Sequence, residues 1–144
     1  MNMQYSKQGL DLTKGFESCR LTAYPDIKGV WTIGYGHTGP EVVEGLVWTQ
    51  NQADSQLVVD LQKAERMVNT YVTVALTQGE FDALVDLAFN IGVNAEKGST
   101  LLKLVNQGDF TGAAEQFQLW DHASGQVVAG LLRRRLAEEK EFKS

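Results

Sequence analysis

Three side chains near the start of the chain have the types and spacing that acid–base chemistry on a polymer would use. Glu17 is followed nine residues on by Asp26 and six further by Thr32, within Glu17–Gly39, ESCRLTAYPDIKGVWTIGYGHTG. Cleaving a glycosidic bond asks for two acidic groups flanking it. One is protonated and helps the leaving oxygen depart; the other is ionised and activates a water or attacks the sugar. Two acids alone carry little weight, because surface Asp and Glu are common.

The elements that must position them sharpen the signal. Residues 6–16 (SKQGLDLTKGF) read as a short helix with Ser6 as N-cap and Leu12 and Phe16 one turn apart. Glu17 is then expected in the last turn, where the helix dipole presents negative charge. That setting favours the protonated carboxyl a general acid must keep near neutral pH. Leu21–Tyr24 and Val30–Tyr35 read as strands joined by the turn PDIKG, which leaves Asp26 held by backbone geometry and open to water. Alternation puts Val30, Thr32, Gly34 and Gly36 on one face and Trp31, Ile33, Tyr35 and His37 on the other. The glycine-lined face leaves room for a bulky polymer beside Thr32, and the aromatic face packs. His37 is therefore expected to be structural and to need a polar partner.

Glu, eight residues, Asp, five residues, Thr, then IGYGHTG resembles the active-site segment of the phage-type lysozymes, the endolysin family. The likeness continues in LTQGEFDALVDLAFNIG, GSTLLKLVNQGDFTGAAEQFQLW and GLLRRRLAEE, over residues 6 to 142. It implies a muramidase that hydrolyses the β-1,4 link between N-acetylmuramic acid and N-acetylglucosamine in bacterial peptidoglycan and so lyses the host. Glu17 would be the general acid, with Asp26 and Thr32 holding the attacking water, which inverts the anomeric carbon. The resemblance also implies storage in the host cytoplasm and release through membrane holes made by a separate holin.

Bulk properties agree with that class. A chain of 144 residues, 43% hydrophobic and 22% charged, fits one domain or two small lobes sharing a core. A net charge of −5 argues against nucleic acid or anionic membrane as the main partner. The single cysteine, Cys19, excludes an intrachain disulfide and reads as a buried, inert residue. With two histidines, His37 and His122, and that one thiol, no metal or other cofactor is expected. No apolar run is long enough for a transmembrane span or a signal peptide.

After a turn-like connection at residues 40–48, TQNQ from Thr49 is a capping box that opens a long helix to about Thr70. Leu57, Leu61, Ala64, Val68 and Tyr71 form its buried stripe, and about 1.5 Å per residue makes it long enough to link two lobes. Asp60, at the edge of the stripe, is the candidate partner for His37, a contact the resemblance supports. A second box, Thr77–Glu80, with Leu76 and Phe81 as its staple, starts a helix apolar on most sides and ended by Gly92. Phe89 and Asn90 close that helix; they read equally well as core plus cap or, by the resemblance, as substrate-binding residues. Ser99–Gln107 and a helix capped by Asp109, carrying Phe110, Ala113, Ala114, Phe117 and Trp120, follow. A polar loop with His122, Ser124 and Gly125 leads to a last helix, Leu131–Phe142. Its Arg133, Arg134 and Arg135 read as a solvated face or an ion-pair set; the resemblance turns one of them, Arg134, towards the site.

The expected fold is α+β, mainly helical and lysozyme-like, in one domain of residues 1–144. An N-terminal lobe (about 13–60) bears the β-hairpin, a helix (about 49–70) links it to a helical lobe (about 77–144), and the cleft lies between. We expect a monomer. Two rival functions use the same residues differently: a lytic transglycosylase, which needs no water holder, and a non-catalytic glycan-binding domain.

Overall fold

The computed structural model, which describes residues 2–123 and 125–144, is mainly helical with two small antiparallel sheets. Ser124, expected in the polar loop, lies outside the described residues. The first three helices begin where side-chain caps predict. Ser6 accepts the Gly9 amide at 3.0 Å and opens α1 (Lys7–Phe16). Thr49 and Gln52 exchange bonds of 2.8 and 3.2 Å ahead of α2 (Gln50–Tyr71). Thr77 and Glu80 do the same at 2.7 and 3.1 Å ahead of α3 (Gln78–Ile91). Each box satisfies amides that helix geometry leaves without partners. Gly92, at φ 101°, ends α3 in a conformation L side chains rarely adopt.

The chain divides into two compact units, Thr13–Gln62 and Met1–Leu12 joined with Lys63–Ser144. In the first, β1 (Arg20–Pro25), β2 (Trp31–Gly34) and β3 (His37–Thr38) form one sheet in that order. The second strand stops short of Tyr35 and a third follows it, because Gly34 and Gly36 take φ of 66° and 82° and fold the chain back. Ile33 then pairs across the sheet with His37, and Thr32 with Thr38. Paired residues share a face. His37 thus stands on the Ile33 side through cross-strand pairing, not through alternation along one strand.

Ala23, Ile33 and Val42 form a small core in this unit, with Trp31, Leu46 and Trp48 packed on it. The expected open space along the glycines is partly filled: a Cβ at Gly34 would meet the Trp48 ring at 3.0 Å. On α2, Ala53, Leu57, Leu61, Ala64 and Val68 make the buried stripe. Tyr71, expected to end it, is instead exposed, with the Lys97 ammonium 4.3 Å above its ring.

In the other unit every residue of α3 from Phe81 to Ala88 is buried, as the apolar content of that helix predicts. Around it run α4 (Val93–Lys97), which no sequence pattern announced, and α5 (Thr100–Asn106), capped by Ser99. Next, α6 (Phe110–Gln116), capped by Asp109, tightens into a 3-10 turn at Phe117–Trp120 instead of running on as one helix. The polar loop holds a small hairpin, β4 (His122–Ala123) and β5 (Gln126–Val127), and α7 (Ala129–Phe142) closes the chain. The Phe117 and Phe142 rings pack 5.3 Å apart. No described helix is long and apolar enough to cross a membrane.

Candidate active site

Glu17 sits one residue past α1, not within its last turn, although its amide still donates to the Thr13 carbonyl at 2.9 Å. It is half-buried, and a methyl group built on Gly36 would stand 4.0 Å from its Oε2. Its carboxyl therefore lies beside the turn between β2 and β3.

Asp26 is tied to its own turn. Its Oδ1 accepts the amides of Lys28 at 2.8 Å and Val30 at 2.9 Å, while its amide donates to the Val30 carbonyl at 2.8 Å. A short acidic side chain folding back on amides two and four residues ahead is what a Pro-Asp turn with Gly29 at φ 82° allows. The residue is half-buried, less open than the turn alone suggested. Thr32 is 4% exposed, and its hydroxyl donates to the same Val30 carbonyl at 2.9 Å. Acid and hydroxyl are thus anchored on the backbone of one residue, Val30, the acid through its N–H and the hydroxyl through its carbonyl. With its proton committed to that carbonyl, Thr32 Oγ1 keeps lone pairs to accept from a water.

Behind this arm, His37 presents Nδ1 to Asp60 Oδ2 at 2.8 Å and Nε2 to Glu41 Oε1 at 2.7 Å. Its ring lies 5.6 Å from that of Trp48. Burial pulls the imidazole pKa down, but the hydrogen bonds to Glu41 and Asp60 outweigh it and the net shift is upward. Glu41 moves the other way, held below the usual carboxylate value first by its bond to His37. Glu41 went unnoticed in the sequence, and its one signal there is the four-residue spacing from His37. Cys19 is half-buried, not fully buried, with its sulfur 3.8 Å from the Gln50 amide nitrogen.

The remaining predicted residues belong to the other unit. Phe89 and Asn90 lie half-buried in the last turn of α3. Arg134 is buried and grips Asp86 with both Nε and Nη2 at 2.9 Å. Arg135, fully buried, meets Glu138 at 2.7 Å, whereas Arg133 is exposed. Arg134 and Arg135 form an ion-pair set, while Arg133 stands at the surface. Burial, then the hydrogen bond and charge of Asp86, push the Glu138 carboxyl well up despite both arginines. Burial does the same to Glu96, whose two carboxyl oxygens have no hydrogen-bond partner among the described residues.

Comparison with known proteins agrees with this arrangement of elements. The phage lysozyme family model matches residues 14–138. The chain is 43% identical to an endolysin of Acyrthosiphon pisum secondary endosymbiont phage 1, with 99% of each covered. It is 40% identical to the endolysin of Bacillus phage PZA but spans only 56% of that protein's length. The muramidase domain of SpmX from Asticaccaulis excentricus superposes with a TM-score of 0.91 at 41% identity, covering 98% of both chains. With most of its length matched by one family and one relative matched throughout, the chain belongs to the phage lysozyme family and is a lysozyme-type glycoside hydrolase.

Proposed function

We propose that the protein is an endolysin that hydrolyses the β-1,4 bond between N-acetylmuramic acid and N-acetylglucosamine in peptidoglycan, with inversion. The observation that carries this reading is the anchoring of Asp26 and Thr32 on the backbone of Val30. A carboxylate and a hydroxyl oxygen held on the backbone of one residue form a fixed pair of acceptors for a single water. Glu17 gives its proton to the glycosidic oxygen as the bond breaks. Asp26 takes a proton from the water as that water attacks the opposite face of the sugar, and Thr32 keeps it aimed.

Further side chains complete the reading. Asn90 offers an amide to an acetamido group, Phe89 an apolar surface, and Arg134 a cation whose direction Asp86 fixes. His37 and Asp60 support the arm without touching substrate. The enzyme works as a monomer on glycan strands, is kept in the host cytoplasm, and reaches the wall through a holin. A net charge of −5 leaves recognition to short-range contacts and not to attraction by the acidic wall.

Reducing-end analysis of digested peptidoglycan tests the reaction. The expected product is a free reducing end formed from water. An anhydro end would assign a lytic transglycosylase, in which the sugar's own hydroxyl attacks and no water holder is needed. Strands left intact would assign a glycan-binding domain.

A further inference from the structure

A second polar network brackets the Glu17 segment between Lys14 and Cys19. The Tyr35 hydroxyl donates to Asp54 Oδ1 at 2.9 Å. The Gln50 side-chain amide donates to the same oxygen at 2.9 Å and to the Tyr35 hydroxyl at 3.1 Å, and it reaches Cys19 Sγ at 3.8 Å. Lys14 adds its ammonium at 3.6 Å from Asp54 Oδ1. These residues come from four places: α1 three residues before Glu17, the loop two residues after it, the turn between β2 and β3, and the first turns of α2.

That distribution has a consequence for the acid. Glu17 lies on a short segment between α1 and β1, and such a segment has no ladder of its own to hold it. Its carboxyl lies beside Gly36, the residue that follows Tyr35. We propose that Tyr35, Asp54 and Gln50 are positioning residues that lock the Glu17 segment and the Tyr35–Gly36 turn to α2, setting where the acid's proton is delivered. This rests on Glu17 being the general acid.

The chemistry of the network suits positioning and not proton transfer. Burial, then the hydrogen bond and charge of Asp54, push the Tyr35 hydroxyl up to about 12. Asp54 is held low, first by Gln50 and then by Tyr35. Donor and acceptor therefore keep their roles throughout the range in which a wall hydrolase works. Tyr35 is buried, and its hydroxyl is shared between Asp54 and Gln50.

The test uses the full chain with Tyr35→Phe, Asp54→Ala and the double variant, assayed on soluble uncrosslinked peptidoglycan strands, with Glu17→Gln alongside. Misplacing a reacting group by a fraction of an ångström lowers kcat by on the order of tenfold and leaves ground-state binding alone. We expect kcat to fall by about that factor in each single variant, with KM unchanged and with thermal unfolding still cooperative. The double variant should lose no more than the larger single loss, since one hydrogen bond is broken in all three. Parental kcat in both single variants, or losses that multiply in the double variant, would overturn the network while an inactive Glu17→Gln leaves the acid assignment standing. An active Glu17→Gln would instead remove the acid, and the network with it. Should Tyr35→Phe fail to fold, Asp54→Ala, at a more exposed position, decides the matter by the same kcat and KM criterion.

Discussion

The arm from Glu17 to Gly39 and the buried charges of α3 and α7 handle polar groups in opposite ways. In the arm, Asp26 and Thr32 bond backbone groups at most four residues away. Between α3 and α7, Arg134 meets Asp86 across 48 residues of chain, and both side chains are buried. Local bonds to backbone fix orientation while costing the fold little. Long-range buried ion pairs make the fold depend on every partner being present, because a lone charge left in the interior has no water to turn to. The contrast separates side chains anchored locally on backbone from charges the fold itself depends on, and substitutions on each side should fail differently.

The largest effect is expected from Glu17→Gln. The amide keeps the shape but has no proton to give, and general-acid assistance is worth roughly 10²–10⁴-fold in rate. Lysis of purified walls should fall by that factor while the unfolding midpoint stays put. Arg134→Met should do the reverse to the fold, lowering stability by about 3–5 kcal/mol as Asp86 loses its partner. Urea unfolding measures this, and a change below about 1 kcal/mol would place the pair among weak surface bridges.

Thr32→Val comes next. It removes the hydroxyl proposed to help hold the water, and misdirected water costs roughly 10²-fold. Initial rates on soluble strands would show it, and full activity would remove Thr32 from the water site.

Glu96→Gln sharpens the comparison from the other side. Its folded carboxyl is shifted up by burial, so it contributes a cost and not a gain. That cost is absent below the unfolded carboxyl pKa and grows as pH rises towards the folded value. The variant should be more stable than the parent at pH 7, with the gap closing near pH 4. Denaturant melts at the two pH values test the sign.

The smallest effect belongs to His37. Its raised folded pKa makes its stabilisation complete below the ordinary value of 6.5 and lost as pH climbs through the folded one. Glu41 is lowered, so its share is present above 4.5 and fades as pH falls through its folded value. The clamp should therefore stabilise most between those two pH values. A double-mutant cycle of His37→Asn with Asp60→Asn should give a coupling of about 1 kcal/mol at pH 5.5 and less at pH 9. Additive effects at pH 5.5 would take the pair out of the account.

These differences also explain what could be read from the chain alone. Both capping boxes, the turn around Asp26 and the start of α1 rest on side chains bonding backbone within four residues, and spacing reveals such bonds. Burial of Asp86 and Asp82 was hidden, since their partners Arg134 and Ser6 lie far away in sequence. The third strand was missed because alternation assumes ordinary backbone, and Gly34 and Gly36 leave it. Val93–Lys97 is one short helical turn pair closed by backbone bonds, with no side-chain cap to announce it. At the site, the types and order of Glu17, Asp26 and Thr32 were legible, whereas the network of Tyr35, Gln50 and Asp54 required the turn to be folded first.

The most direct test of the central claim is the configuration of the sugar end as it forms. Proton NMR of soluble strands during the first turnovers reads the anomeric signal of the new reducing end before it equilibrates. Attack by a water held at Asp26 and Thr32 on the face opposite the departing oxygen predicts the α-anomer first, with the β-anomer appearing only by later mutarotation. First appearance of the β-anomer would mean a covalent intermediate or attack from the other face, and would contradict the account.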